Sequence, residues 1–230
     1  MQAALLVGGS SGRSSVLNRT VPRSLLIIAG KPLIEWQFNW LAANGIRSVT
    51  LLADASYEAV TKTAQKLGRK KDISVDYVIE KSPLGTSGAL KHAENVLGNE
   101  NFIAVNGDVI TNLKISKMHL GNSVIAMALV PLRTSYGIVE EKGGKIIGFR
   151  EKPLLKEYWI NAGVYLASKS IFDYLPVKGD LGKTVLAELS WKGLLCGVKY
   201  KNAYWRSIDT NADLQTASRD LRKIRITNIH

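Results

Sequence analysis

Three stretches of this chain carry residue types suited to phosphate and a hard cation. Gly8, Gly9, Ser10, Ser11 and Gly12 follow the apolar run Ala4, Leu5, Leu6 and Val7, and Arg13 closes the turn. A glycine-rich turn at the end of a strand lets backbone N–H groups approach phosphate oxygens with no Cβ in the way. A guanidinium beside it adds a permanent positive fork. This turn matches neither G-x-G-x-x-G nor the P-loop pattern, and on its own it serves equally as a tight connection. The second stretch is the apolar run from Phe102 to Val105, which ends in Asn106, Gly107 and Asp108. A carboxylate just past such a run sits at the rim of a sheet, where one or two oxygens plus substrate phosphates hold a hard cation; in isolation it also suits a turn. The third is Gly85, Thr86, Ser87 and Gly88, where a hydroxyl can cap a helix and the glycines keep its entrance open.

These residues need a frame, and hydrophobic periodicity supplies one. The run Ala4 to Val7 reads as a buried parallel strand. Residues 32–44 space Leu33, Trp36, Gln37, Trp40 and Leu41 as one helix face, stopped by Asn44 and Gly45, with both tryptophans expected in the core. Val49, Leu51 and Leu52 mark a second strand, and Ser56 is placed to cap a helix running to Leu67. A third strand over 73–79, a helix from Thr86 or Ser87 to Leu97 and a fourth strand at 102–105 complete the first half. This alternation predicts an α/β fold, a doubly wound, mostly parallel, Rossmann-like sheet whose ligands lie beyond the carboxyl ends of the strands. Later segments at 123–131, 137–140 and 145–149 add strands of a mixed part, the last two joined by a Gly143-Gly144 hairpin turn. Helices are expected at 180–189 and 209–224.

Composition narrows the class. Of the 230 residues 46% are hydrophobic and 22% charged, ordinary for a globular protein able to bury one large core. The single cysteine, Cys196, leaves no internal disulfide framework and is expected as a buried residue in a reducing compartment. No apolar run approaches the ~20 residues that span a bilayer, and the chain enters its first strand without a leader, so a cytoplasmic, membrane-free protein is expected. The net charge of +12 comes from 31 Lys and Arg that are scattered, concentrated only near 66–71 and 219–225. Such runs are ordinarily solvated helix faces, so nucleic acid is not the expected partner; anionic small substrates account for part of the excess.

The motifs taken in order resemble the sugar-1-phosphate nucleotidyltransferases, or NDP-sugar pyrophosphorylases. Their amino-terminal signature runs L-A-G-G-x-G-T-R-L-x-P-L-T, then P-K-P-L, then G-K-P-L-I. Leu6, Gly8, Gly9, Arg13, Leu17, Pro22, Leu25 and residues 30–34 fall on it. Pro83 to Leu90 is similar to the family's P-L-G-T-A-G-A-L segment, and Asn106-Gly107-Asp108 to its N-G-D motif. Tyr136 and Gly137, then Glu151, Lys152 and Pro153, then Asn161 to Tyr165 resemble its Y-G, E-K-P and N-A-G-I-Y motifs. The likeness extends to about residue 217.

The resemblance implies a single nucleotidyltransferase domain over 1–230, with residues up to about 110 taking the nucleotide and the remainder the sugar phosphate. Gly8, Gly9, Ser10, Ser11, Gly12, Gly85, Thr86 and Gly88 would contact the nucleotide. Tyr136, Gly137, Glu151, Lys152 and Asn161 would bind the sugar phosphate, and Asp108 would hold Mg²⁺. Ser11 and Gly12 stand where the family usually has Gly-Thr, and two positions that matter for chemistry also depart from it. Arg23 replaces the usual lysine of P-K-P-L, which keeps the charge but changes its shape and reach. Ser207 stands where W-x-D-I-G-T places the second metal-binding Asp; Asp209, two residues on, would face the same side displaced by roughly 6–7 Å.

The reaction so implied joins an NTP and a sugar 1-phosphate into an NDP-sugar and pyrophosphate, by in-line attack on the α-phosphorus with no covalent enzyme intermediate. Arg13 would stabilise the phosphate charge, Arg23 would replace the activating lysine, and Lys152 would orient the acceptor phosphate. Arg23 and Ser207 also leave open a catalytically degenerate homologue acting as a binding or regulatory subunit. A generic nucleotide or nucleic-acid binder is a third class. The nucleobase and the sugar stay open, and an apolar surface of the strand-rich half would support a homo-oligomer.

Overall fold

In the computed structural model, which describes residues 1–8, 21–54 and 57–223, the chain alternates strands and helices through its first half. The order is β1 (Gln2–Leu6), β2 (Ile27–Ile28), β3 (Lys31–Pro32), α1 (Leu33–Ala43), β4 (Ser48–Ala53), α2 (Tyr57–Lys71) and β5 (Ser74–Ile79). There follow α3 (Gly85–His92), α4 (Glu94–Leu97), β6 (Phe102–Asn106) and β7 (Val109–Thr111). The second half holds β8 (Ile125–Arg133), β9 (Ile138–Lys142), β10 (Lys145–Arg150) and β11 (Leu154–Ala167). It closes with a π-turn at Leu181–Val185, α5 (Leu186–Trp191), β12 (Leu195–Lys199), β13 (Trp205–Ser207) and α6 (Asn211–Lys223).

Seven strands form one sheet in the order β12-β8-β11-β6-β1-β4-β5. The β1–β4, β1–β6, β4–β5 and β8–β12 pairs are parallel, while β11 runs antiparallel to both β6 and β8. Period-2 alternation distributes the core to both faces. Ala3 and Leu5 of β1, Ile103 and Val105 of β6, and Val164 and Leu166 of β11 share one cluster with α1 and α2. Their neighbours Ala4 and Leu6, Phe102 and Ala104, Tyr165 and Ala167 share the other, under α3 to α5. Trp36 and Trp40 are core residues, as expected. The indole N–H of Trp36 donates to Ile28 O at 2.9 Å and that of Trp40 to Leu113 O at 2.7 Å, so each ring is buried without leaving its one donor unsatisfied.

Several elements differ from the sequence expectation. Thr86 and Ser87 do not cap α3: they lie in its first turn, and the N-cap position is Leu84 without a side-chain cap. Glu80 takes that part instead, accepting from Leu84 N–H at 2.9 Å. The helix expected through Leu97 breaks at Ala93, so α3 and α4 are separate. The 180–189 helix begins as a π-turn with Asp180 at its N-cap. The final helix starts at Asn211, where Thr210 and Asp213 cap each other reciprocally: Thr210 N–H donates to Asp213 Oδ2 at 2.8 Å and Asp213 N–H to Thr210 Oγ1 at 3.2 Å. Cys196 is half-buried rather than buried, its thiol directed at His119 O and Leu120 O. The Gly143-Gly144 turn has both residues at positive φ, 59° and 81°, as a tight hairpin between β9 and β10 demands. The cap expected at Ser56 lies outside the described residues. Among the described residues no helix is long and apolar enough to cross a membrane.

Candidate functional site

A cavity of about 430 Å³ opens beyond the carboxyl ends of β1, β4, β5 and β6. It lies where the chain order reverses direction beside β1, the position at which open α/β sheets take ligands. Its walls come from Leu6, Val7 and Gly8 after β1, Leu52 of β4, Glu80 after β5, and Asn106, Gly107 and Asp108 after β6. Arg23, Ser24, Pro83, Gly85, Thr86, Ala89 and Asp180 complete it.

The glycines at this rim are required by close approach. A Cβ on Gly107 would lie 2.2 Å from Leu6 O, and one on Gly8 would lie 2.7 Å from Asp54 N. Both segments turn sharply over their neighbouring strand: Gly107 N–H donates to Leu6 O and Gly8 N–H to Leu52 O, each at 2.9 Å. From below, the buried amide of Gln37 on α1 donates to Asn106 O and Val109 O, both at 3.0 Å, which fixes the turn that carries Asp108.

At the mouth of the cavity one guanidinium nitrogen joins two carboxylates. Arg23 Nη1 donates to Asp108 Oδ2 at 2.9 Å and to Asp209 Oδ1 at 3.0 Å. The Ser207 hydroxyl donates to the other oxygen of Asp209 at 2.6 Å. The side chains of Arg23, Asp108 and Asp209 are 12%, 24% and 55% exposed, so the group is dry at one end and wet at the other. Burial, and then the charge of Asp209, push the Asp108 carboxyl above the ordinary range, while Arg23 pulls it back. The second oxygen of Asp108 is buried without a hydrogen-bond partner among the described residues. Arg23 and Ser207, the two departures at chemically important positions, therefore meet at one place.

The loop before α3 is held from the second half of the chain. Leu181 N–H donates to Thr86 Oγ1 at 2.7 Å, Ser87 N–H to Gly179 O at 3.1 Å and Gly179 N–H to Leu84 O at 2.8 Å. Gly85, at φ +75°, has no room for a side chain, since a Cβ would lie 2.3 Å from Gly179 O. Gly85 and Thr86 line the cavity, whereas Gly88 packs on the backbone of Val177 and Lys178 instead.

The expected sugar-phosphate residues are not brought into this cavity. Tyr136, Gly137, Glu151 and Lys152 flank the β9–β10 hairpin, with Tyr136, Glu151 and Lys152 exposed. Lys152 adopts φ +44° and its ammonium lies 3.8 Å from Glu151. Asn161 is on β11, where its amide donates to Tyr165 OH at 2.6 Å and its carbonyl accepts from Gly163 N–H at 2.8 Å. That buried Tyr165 hydroxyl is pushed up to about 12 by desolvation. Gly163, at φ +66°, admits the Asn106 side chain, whose Nδ2 would lie 2.7 Å from a Cβ there. The expected nucleotide contacts Gly9, Ser10, Ser11, Gly12 and Arg13 lie outside the described residues.

Sequence reasoning missed Glu80, Ser24 and Asp180 as wall residues. Glu80 had a signal, a lone acid at the end of an apolar strand just before Pro83-Leu84-Gly85. Ser24 had one too, because P-K-P-L has proline there. Glu80 is 4% exposed, and burial raises its carboxyl despite the Leu84 N–H it accepts.

Comparison with known proteins agrees with this architecture. The sequence profile of the nucleotidyl transferase family matches residues 2–223. The chain is 35% identical over 178 residues to the D-glycero-alpha-D-manno-heptose 1-phosphate guanylyltransferase of Campylobacter jejuni, covering 75% of this chain and 78% of that one. It is 32% identical over 225 residues to the mannose-1-phosphate guanyltransferase of Yarrowia lipolytica, covering 93% of this chain but only 62% of that longer one. The crystal structure of HddC from Yersinia pseudotuberculosis superposes with a TM-score of 0.77 at 24% identity, over 96% of this chain and 99% of that one, a likeness of fold. With a family profile spanning nearly its whole length and the cavity where such a sheet binds ligands, this chain belongs to the nucleotidyl transferase family.

Proposed function

We propose that this protein transfers a guanylyl group from GTP to a sugar 1-phosphate, releasing pyrophosphate and a GDP-sugar. The single observation that carries the reading is the Asp108–Arg23–Asp209 group at the mouth of a cavity of nucleotide size. The choice of base rests on two supports. The relatives named above are guanylyl and guanyl transferases. In addition, Glu80 puts a carboxylate in the cavity wall, and a carboxylate matches the paired N–H donors on the edge of guanine.

An oxygen of the sugar phosphate attacks the α-phosphorus, a new P–O bond forms, and the bond to the bridging α–β oxygen breaks so that pyrophosphate carries away the electron pair. No side chain is covalently modified, so this chain's residues act by positioning and charge. Arg13 and Arg23 supply cationic donors to the phosphates; Lys152, exposed beside the β9–β10 ribbon and absent from the cavity wall, is assigned the acceptor phosphate on the resemblance alone. Asp108 and Asp209 fit a divalent cation such as Mg²⁺: the pair is a hard oxygen donor set, and one buried Asp108 oxygen has no partner among the described residues. When bound, such an ion neutralises phosphate charge. A reducing, cytoplasmic setting suits the single half-buried thiol of Cys196. The alternative of a degenerate binding subunit rested on Arg23 and Ser207; their connection to Asp108 and Asp209 favours an enzyme.

The test is pyrophosphate release with Mg²⁺ for each common NTP against a set of hexose and heptose 1-phosphates. Release that requires GTP and one class of sugar 1-phosphate supports the proposal. Release with another NTP overturns the guanine assignment, and no release with any pair, while GTP still raises the Tm, overturns the enzyme reading.

A further inference from the structure

Arg23 is held in an arrangement that leaves its own hydrogen bonding unfinished. One nitrogen, Nη1, serves both Asp108 and Asp209, while Nε is buried without a partner among the described residues. The free oxygen of Asp108 and the hydroxyl of the adjacent Ser24, itself 2% exposed, are buried and unpartnered in the same way. A guanidinium has five donors in a planar fork, and a buried polar atom left without a partner is unfavourable. Three such atoms around one ion pair mark a resting arrangement with a better-satisfied one close by. One cation between two carboxylates also leaves the group a net charge of −1, which a second positive charge can balance.

The two carboxylates are not held equally. Asp108 is mostly buried on a turn fixed by Gln37, whereas Asp209 is half exposed and keeps an independent anchor, the Ser207 hydroxyl. Asp209 therefore stays aimed at the site when Arg23 leaves. Both residues border the space that Arg23 fills, and Arg23 and Asp108 line the cavity into which a swung guanidinium would point.

We propose that Arg23 is a built-in counter-cation which holds Asp108 and Asp209 together in the nucleotide-free protein and competes with the divalent ion for them. Nucleotide phosphates draw the guanidinium away, giving it bidentate oxygen acceptors and releasing both carboxylates to the ion. Ion and nucleotide thus bind with positive coupling, and by linkage each raises the affinity of the other by the same factor. An ammonium at position 23 is shorter, makes no fork and does this less well. The inference rests on the reading of the site as one for a metal-bound nucleotide, but its test needs neither nucleotide nor turnover, so the two fail separately.

The experiment titrates Mn²⁺, without nucleotide, into the wild-type protein and Arg23→Gln, reading free Mn²⁺ by electron paramagnetic resonance and folding by Tm. The expected result is a Kd lowered about tenfold or more in the variant, with Mn²⁺ raising its Tm further than that of the wild type. An equal or weaker Kd overturns the proposal. Adding Asp209→Asn to Arg23→Gln must remove the gain; a gain that persists overturns competition at this pair. Should Arg23→Gln fail to fold, Arg23→Lys takes its place, with a smaller gain expected and the absence of any gain decisive against the proposal.

Discussion

Thr86 and Leu181, 95 residues apart in the chain, are joined by a hydrogen bond in which the Leu181 amide donates to the Thr86 hydroxyl at 2.7 Å. It ties the entrance of α3, in the half expected to hold nucleotide, to the π-turn after Asp180. Thr86→Val keeps the side-chain shape and removes the acceptor, leaving a partly buried N–H unsatisfied. The expected outcome is a Tm lowered by about 3–6 °C together with a raised KM for the nucleotide, while Thr86→Ser stays near wild type. Thermal unfolding and steady-state kinetics on the two variants check this, and equal behaviour of Val and Ser would remove the hydroxyl from the account.

Ser207 acts through Asp209, the 2.6 Å bond fixing one carboxylate oxygen while the other meets Arg23. Ser207→Ala is expected to raise the Mg²⁺ concentration for half-maximal rate about fivefold, from the loss of roughly 1 kcal/mol of orientation, with little change in Tm. The pair Arg23→Lys with Ser207→Asp, which restores the family's usual residues, is expected to give no gain in kcat, because in the proposed mechanism Asp209 takes the part of the second carboxylate. A large gain there would speak for a degenerate site.

Of the two carboxylates at the mouth, Asp108 is held more firmly than Asp209, with Gln37 beneath its turn and Ile208 N–H donating to its backbone carbonyl at 2.9 Å. Asp108→Ala is expected to lower kcat by about a thousandfold or more, with the protein still folded. Near-normal turnover by the purified variant would remove Asp108 from the chemistry.

Glu80 gives the stability a pH dependence of definite sign. Its carboxyl is raised above the ordinary 4.5 chiefly by burial, with Asp54 adding to the shift and the Leu84 N–H opposing it. A raised carboxyl favours the folded state while protonated, so that contribution is complete below 4.5 and is lost as pH climbs through the folded-state value. Glu80→Gln retains an acceptor for Leu84 without the charge. Its Tm relative to wild type is expected to improve as pH rises from 4.5 through the raised folded-state value and to stay level outside that window, as calorimetry across the acid-to-neutral range would register. A constant difference would mean that Glu80 is not desolvated in solution.

The sequence made one half of this architecture readable and hid much of the other. Strands β1, β4, β5 and β6 are short runs closed by turn residues, and their parallel order follows from the helices between them. Strand β11 was hidden because Lys156, Glu157 and Tyr158 interrupt its alternation, at the place where its pairing with β8 shifts register between Leu155 and Trp159. Strand β12 contains Gly197, which reads as a breaker; here a Cβ would lie 2.5 Å from Leu129 Cδ1, so glycine leaves that side chain its place between β12 and β8. At the site, the types of Arg23, Asp108 and Asp209 were legible but their union was not. Arg23 reaches partners 85 and 186 residues away, and such closure depends on the completed sheet, not on any local spacing.

The β9–β10 ribbon is joined to the fold at its base. It makes its own two-stranded sheet and emerges where β8 and β11 are already paired, at Arg133 opposite Leu154. Thr134 N–H donating to Pro153 O closes its base. Because the ends of 134–153 lie side by side on adjacent antiparallel strands, a short turn in their place closes the same gap without moving either strand. The ribbon is thus a cassette that evolution or an engineer can exchange whole, changing the surface it presents while the paired strands β8 and β11 are inherited unaltered.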